Sequence, residues 1–236
     1  CIRDRLTAVT KELFTTFKYG YYSPVSLGFT SNTWSTIWNG IHQCYMFQES
    51  LKQVSNEYVT DEMKKQYLAE SNFLIAYYHF LSMRSYGPTM IIRSVIDLET
   101  PISGFPERSS IDEVVAFINE KLDEAMSEGG LPTTWSGKDY GRATRLAALA
   151  LKSRVYLYAA SPLYNGNTEM YADFRSPLDG RQLIAQEKSQ AKWEISATQT
   201  KYAIDEVEKA KFHLYHDADA GEPSDAKPVS YTHLRA

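Results

Sequence analysis

The aromatic side chains between Tyr19 and Asn39 are the group in this chain best suited to binding chemistry. Gly20, Pro24 and Gly28 fall in the same stretch and indicate an irregular backbone at its start. Flat aromatic faces pack against the C–H face of a sugar ring, and neighbouring amide groups bind its hydroxyls. Each ring could instead pack this segment onto the helices beneath it. The residues predicted here to contact a ligand are Tyr21, Tyr22, Asn32, Trp34 and Trp38, with Tyr19 and Phe29 beside them.

The position of Trp34 and Trp38 qualifies that prediction. They lie four residues apart at the start of a helical pattern, which places them on one face of a helix. At least one of the two is therefore expected to belong to the core.

A second candidate group lies in the polar loop before residue 142. Trp135 and Tyr140 flank Lys138 and Asp139, so aromatic faces and charged groups occur together here as well. Loops held by a rigid scaffold often carry binding residues. Trp135 and Tyr140 are therefore predicted ligand contacts, with packing onto the following helix as their alternative role.

Motifs for catalysis and metal binding are sparse. The sequence has no Gly-x-Ser-x-Gly elbow, no phosphate-binding loop and no dinucleotide fingerprint. Acidic pairs such as Asp123–Glu124 are expected on solvated helix faces, although counting them does not exclude a glycosidase pair. His213 and His216 have a spacing that suggests a metal site, but they directly follow a helical pattern. We expect no metal, no cofactor and no catalytic residue.

Composition narrows the class of protein further. The chain has 236 residues, of which 43% are hydrophobic, and this is enough for one large domain or two small ones. Its formal net charge of −4 argues against a nucleic-acid-binding protein. Cys1 and Cys44 form neither a disulfide framework nor a metal motif, and Cys44 is expected to be a buried free thiol. The sequence contains no run of eighteen apolar residues, so it predicts no transmembrane helix.

Helical periodicity dominates the sequence, and no alternating pattern is long enough to indicate a sizeable sheet. The clearest helix has a capping box at Ser110 and Glu113, and the second helix is expected to end at Gly87-Pro88. The connections near residues 88–109, 129–141 and 161–188 are polar, and Asn165-Gly166 suits a tight structural turn. The predicted helices cover residues 33–55, 62–86, 111–127, 142–160 and 190–210, the last with Trp193, Ala197, Ile204 and Val207 on its apolar face.

Arg154 stands out because it lies on a helix that is otherwise apolar. Glu70 occupies a similar position on an earlier helix. We interpret the two as a buried ion pair, whose loss in Arg154→Ala would cost a few kcal/mol.

Four segments, in order, resemble the SusD/RagB family of surface glycan-binding lipoproteins. The strongest is GRATRLAALALKSRVYLYAASPLYNG, residues 141–166. The others are AESNFLIAYYHFLSMRSYGPTMII (69–92), RSSIDEVVAFINEKLDEA (108–125) and DGRQLIAQEKSQAKWEISATQTKYAIDEV (179–207). The resemblance implies a mainly α fold of tetratricopeptide-like helical hairpins with long irregular loops. Residues 1–226 are then a partial SusD/RagB-like domain truncated at both ends, and KPVSYTHLRA, residues 227–236, resembles a translated vector tail.

The same resemblance implies a function. A protein of this family captures an oligosaccharide at the outer membrane without turning it over, and passes it to a SusC-like TonB-dependent transporter. Family glycan contacts lie mostly in variable loops, so no binding residue transfers by position. Cys1 could be the lipidated cysteine, although helix-like sequence follows it almost at once. Two alternatives stay open: a helical-repeat scaffold that binds proteins or peptides, and a helical carbohydrate-active enzyme.

Overall fold

Five long helices and one short helix make up most of the part of the chain that the structure describes. The structure is a computed structural model and describes Tyr19, residues 28–97 and residues 99–212, with the backbone alone at residues 28–32 and 102. The α-helices are α1 (Gly28–Gln53), α2 (Asp61–Tyr86), α3 (Ile111–Ala125), α4 (Arg145–Ala160), α5 (Thr168–Tyr171) and α6 (Gln190–Lys209). Single 3-10 turns occupy Ile102–Gly104 and Gly137–Asp139.

Strand structure is minimal in these residues, as the sequence predicts. β1 (Thr89–Met90) pairs antiparallel with β2 (Arg108–Ser109), with Thr89 opposite Ser109. This short ladder closes the loop between α2 and α3. The loop is therefore held at both ends, and between them Ile92 is buried while Arg93, Ser94 and Asp97 are exposed.

The five predicted long helices are all present, and their ends follow from local hydrogen bonds. The capping box is confirmed: Ser110 Oγ accepts from the Glu113 amide, and a Glu113 carboxylate oxygen accepts from the Ser110 amide at 2.7 Å. Gly87 ends α2 with φ of 72° and donates to the Met83 carbonyl at 2.9 Å. α4 begins three residues later than predicted because the Thr144 side chain caps it by accepting from the Ala147 amide.

Helix α2 lies at the centre of the packing, between α1 on one side and α3 on the other, while α4 contacts α3 and α6. Two apolar clusters result. The main core joins α2, α3 and α4 and includes Phe80, Ile118 and Leu122. The second cluster joins α1 to α2 and the loop after β1, and it includes Ile41, Ile75, Ile92 and Phe117. Cys44 lies buried in this second cluster as a free thiol, as predicted.

The apolar face predicted for α6 is wrong in part. The buried side chains are Ser196 and Ala203, whereas Ile204 is 48% exposed. Small side chains let α6 approach α4 closely, and the Ser153 and Thr200 hydroxyls bond across the contact at 2.7 Å. Periodicity alone cannot distinguish this face from the one that carries the large residues.

The predicted ion pair between Arg154 and Glu70 is also wrong. Arg154 is exposed on α4. Glu70 instead pairs with Arg142, whose Nη2 lies 2.7 Å from a Glu70 carboxylate oxygen. Arg142 comes from the irregular segment before α4, so the pairing depends on a loop path that helical periodicity does not reveal. The expected cost of Arg154→Ala therefore loses its structural basis.

The Asn165-Gly166 turn is structural, as predicted, and it ties the end of α4 to the start of α6. The buried Asn165 amide nitrogen donates to the carbonyls of Ala160 (3.2 Å) and Ser189 (2.9 Å), and its oxygen accepts from the Ser189 amide at 2.8 Å. Gly166 has φ of 83°, and a Cβ there would lie 2.6 Å from the Lys188 nitrogen. The end of the family-like segment 141–166 is therefore fixed by backbone geometry.

We expect Asn165→Ala to lower the free energy of unfolding by about 2 to 4 kcal/mol, because it removes three hydrogen bonds and leaves buried backbone groups unpaired. Urea unfolding followed by circular dichroism measures the change. Asn167→Ala is the matched control, since its side chain caps the short helix α5 and makes one long hydrogen bond of 3.4 Å to the Leu163 carbonyl, and it should cost about 1 kcal/mol or less. Equal costs for the two variants would contradict this role for Asn165.

Candidate functional site

A groove of about 420 Å³ lies between the first half of α1 and the loop after β1. We call it the tryptophan groove. Its volume falls in the range of small-ligand sites, and its walls are mainly apolar with a few polar groups. Its described lining residues are Trp34, Trp38, Asn39, Ile41, His42, Met90, Ile92, Ser94, Ile96, Asp97 and Phe105.

The two tryptophans reach this groove because they lie one helical turn apart on α1. Their ring centroids are 5.3 Å apart, with the rings inclined by 57°. The Trp34 ring meets Tyr86 edge-on at 4.9 Å, and the Trp38 ring meets His79 edge-on at 5.9 Å. Such contacts fix the rings at defined angles. The prediction that the two residues share a face, with at least one packed against the core, is confirmed.

His79 supports the groove from below. Its ring is fully buried, with Nδ1 2.7 Å from the Ile75 carbonyl and Nε2 accepting from the Ile92 amide at 3.4 Å. This arrangement requires the proton on Nδ1 in the neutral ring. Burial lowers the pKa of His79 to about 4, so the ring is uncharged at neutral pH. His79 is therefore an uncharged, buried ring beneath the groove that contacts both Trp38 and Ile92.

The upper rim of the groove carries its hydrogen-bonding groups. Asn39 and His42 come from α1, whereas Ser94 and Asp97 come from the loop after β1. The loop around Asp97 is held in place, because one carboxylate oxygen accepts from the Glu99 amide at 2.8 Å and the Asp97 carbonyl accepts from the Thr100 amide. These side chains bring hydrogen-bond donors and acceptors to a groove whose other lining residues are aromatic or aliphatic.

Phe105 completes the aromatic wall from the loop side, and its side chain is 44% exposed. Sequence reasoning missed this residue together with Asn39, His42, Ser94 and Asp97. The available signal was a lone aromatic residue between Gly104 and Pro106 in the connection from α2 to α3.

The structure accounts for only part of the predicted N-terminal cluster. Trp34 and Trp38 lie together in the groove, whereas Tyr21 and Tyr22 lie outside the described residues. The side chain of Asn32 is likewise outside the description. The prediction that these three contact a ligand stays a prediction.

Trp135 and Tyr140 line a separate groove of about 410 Å³, between the loop before α4 and the end of α6. Trp135 is held from two sides: its indole nitrogen donates to the Ala143 carbonyl at 2.7 Å, and the Arg142 guanidinium lies 4.3 Å from its ring centroid. Arg142 in turn pairs with Glu70 and Asp139. These contacts support a packing role for Trp135, while Tyr140 is 80% exposed and free to contact a ligand.

No cluster of three potential metal ligands occurs in the described part of the chain. His213 and His216, the pair with metal-like spacing, lie outside it, as does the 227–236 tail. Among the helices of residues 28–97 and 99–212, none is long and apolar enough to cross a membrane.

Comparison with known proteins identifies what the chain resembles. Residues 12–157 match a SusD-like family described as starch-binding and associating with the outer membrane. The solved structure of BT4246 is 35% identical and superposes with a TM-score of 0.71, over 78% of this chain and 31% of BT4246. A SusD superfamily protein from Parabacteroides distasonis shares the fold at 22% identity, with a TM-score of 0.59 over 86% of this chain and 36% of that protein. No curated protein matches the chain.

Proposed function

Because the chain belongs to the SusD-like family, we propose that it binds an oligosaccharide in the tryptophan groove as part of a glycan-uptake system. The observation that carries the proposal is the pairing of two tryptophan rings with the polar rim formed by Asn39, His42 and Asp97. The family is described as starch-binding, and this site has the groups that sugar recognition requires.

The proposed mechanism is non-covalent capture. A pyranose ring lays its C–H face on Trp34 and Phe105, and its hydroxyls bond to the amide, imidazole and carboxylate groups of the rim. A single site of this kind has a Kd of about micromolar or weaker, because few hydrogen bonds offset the loss of ligand freedom. Capture of this strength is reversible, as transfer to a second protein requires.

The groove favours binding over hydrolysis of the glycan. Glycosidases of the common types place two carboxyl groups on either side of the scissile bond. Asp97 is the only acidic side chain among the described lining residues of this groove. A single carboxylate can orient a hydroxyl, but it cannot supply both the acid and the base. The enzyme alternative therefore has less support than the binding protein.

Family membership supports a proposal about the cellular setting. We propose that the protein is displayed on the outer membrane as a lipoprotein and delivers its ligand to a SusC-like TonB-dependent transporter. The chain spans about a third of the length of BT4246, so residues of a longer protein could add to the site. The tryptophan groove is the part of the site that this chain supplies.

Affinity electrophoresis of the purified protein through gels containing neutral polysaccharides tests the proposal. We expect at least one glycan to retard the protein without being hydrolysed. Trp34→Ala and Phe105→Ala should each weaken retention about tenfold or more, since each removes a stacking face. Tyr58→Ala is the control, because Tyr58 is 78% exposed and lies outside the groove.

The outcomes distinguish the alternatives. Release of reducing sugar, abolished by Asp97→Asn, would contradict a purely binding role and favour the enzyme. Retention by a glycan that neither groove variant weakens would place the site elsewhere. Binding of peptides without any glycan would favour the helical-repeat scaffold.

A further inference from the structure

The described lining of the tryptophan groove carries a negative charge that no lysine or arginine of the lining compensates. Its described lining contains one carboxylate, Asp97, and neither lysine nor arginine. Glu99, two residues further along the loop, is also exposed and donates its amide to the Asp97 carboxylate. A ligand in the groove therefore meets negative charge at the rim.

Among the described residues, Arg93 and Arg108 belong to the loop after β1 and its closing strand, and both are engaged elsewhere. The Arg93 guanidinium lies 2.9 Å from a Glu120 carboxylate oxygen and 4.8 Å from the centroid of the Phe117 ring. Arg108 donates to the carbonyl oxygens of Tyr86 and Pro88 at 3.3 and 2.7 Å. Freeing either guanidinium for a ligand would break these bonds. Neither side chain is among those that line the groove.

We propose that the tryptophan groove selects uncharged oligosaccharides and discriminates against glycans that carry uronic-acid, carboxymethyl or sulfate groups. This inference rests on the proposed function. An anionic substituent beside Asp97 would lose hydration without gaining a cation, and the two like charges would repel. A hydroxyl at the same position donates to the carboxylate and is favoured. Among the described residues, the lining thus has acceptors suited to hydroxyls but no lysine or arginine of the kind that anion recognition uses.

The test uses matched pairs of polysaccharides: pullulan, laminarin and hydroxyethylcellulose, with carboxymethyl pullulan, carboxymethyl laminarin and carboxymethylcellulose. Affinity is measured by gel retardation or isothermal titration at pH 8, where histidine side chains are in general uncharged. For the backbone that binds, we expect the carboxymethylated form to bind at least tenfold more weakly at low ionic strength. This difference in affinity between the neutral and the carboxymethylated form should become smaller in about 0.5 M NaCl, because salt screens exposed charges.

Asp97→Asn isolates the cause, since the amide oxygen can still accept from the Glu99 amide while the charge is removed. We expect this variant to reduce the difference in affinity between the neutral and the carboxymethylated form severalfold. Glu99→Gln removes a second negative charge two residues away, outside the groove lining. It should change the difference in affinity much less.

Two failures are distinguishable. Charge selection by the groove is overturned if the carboxymethylated form binds as well as the neutral one, or if Asp97→Asn leaves their difference in affinity unchanged. Glycan binding itself would still stand in either case. If neither member of any pair binds, and no other neutral glycan retards the protein, the proposed function itself is overturned.

Discussion

Lowering the pH from 7 to 4 is expected to remove about 3 kcal/mol of the free energy of unfolding through His79 alone. The pKa of His79 is lowered by burial to about 4 in the folded protein, against an ordinary value of 6.5. Below pH 6.5 the unfolded chain binds a proton that the folded chain does not. Stability is therefore lost progressively as the pH falls from 6.5 towards 4, and little of this loss occurs above 7.

The surroundings of His79 explain why protonation is unfavourable. The ring lies edge-on to Phe117 at 4.7 Å and to Trp38 at 5.9 Å, and Nε2 accepts a hydrogen bond that a protonated ring cannot accept. The nearby cations Arg93 and Lys121 lower the pKa of His79 further. No buried carboxylate of the described residues offsets the new charge.

Chemical unfolding of the wild type and of His79→Asn at intervals between pH 4 and 8 measures this effect. The variant should be less stable at neutral pH but should show a smaller loss on acidification, by about 3 kcal/mol at pH 4. Ile75→Ala is the control, because it weakens the same cluster but keeps the imidazole and should keep the full acid dependence. Parallel pH curves for the wild type and His79→Asn would contradict the assignment.

The helices could be predicted from the sequence because their signals are local. The Ser110–Glu113 capping box and the Gly87 stop each involve residues within one helical turn, and both are present. The spacing of Trp34 and Trp38 likewise places them on one face whatever packs against it. These features depend on backbone periodicity, which a single sequence records directly.

The candidate site was predictable only on its α1 side. Phe105 and Asp97 reach the groove through the loop after β1, whose path is set by the Thr89–Ser109 pairing and by turns within it. The same limitation explains the error over Glu70, whose partner Arg142 also comes from a loop. In both cases the contact joins residues far apart in sequence through irregular backbone, for which helical periodicity contains no information.

The two apolar clusters suggest that stability and ligand binding can be separated by mutation. The tryptophan groove lies on the second cluster, through Trp38, Ile41 and Ile92. Phe80 belongs to the main core, where it is 1% exposed and meets Tyr158 edge-on at 5.3 Å, joining α2 to α4. Phe80 is not among the described residues that line the groove.

We expect Phe80→Ala to lower the free energy of unfolding by about 3 to 5 kcal/mol, because it removes a buried ring and leaves a cavity that the helices cannot fully close. Denaturant unfolding measures this loss. Leu157→Ala on α4 is the control, since its side chain is 49% exposed, and it should cost less than about 1 kcal/mol. Under conditions where Phe80→Ala is still folded, its glycan retention should equal that of the wild type.

Trp34→Ala should give the opposite pattern, with weakened retention and a much smaller loss of stability, because its ring is only half-buried at the edge of the second cluster. If folded Phe80→Ala also loses retention, the two clusters respond as one unit, and the groove would then depend on the whole helical array. If each variant changes only its own property, the α1–α2 hairpin and the loop after β1 hold the groove without help from the main core. Glycan specificity could then change through the loop while the helical core stays the same.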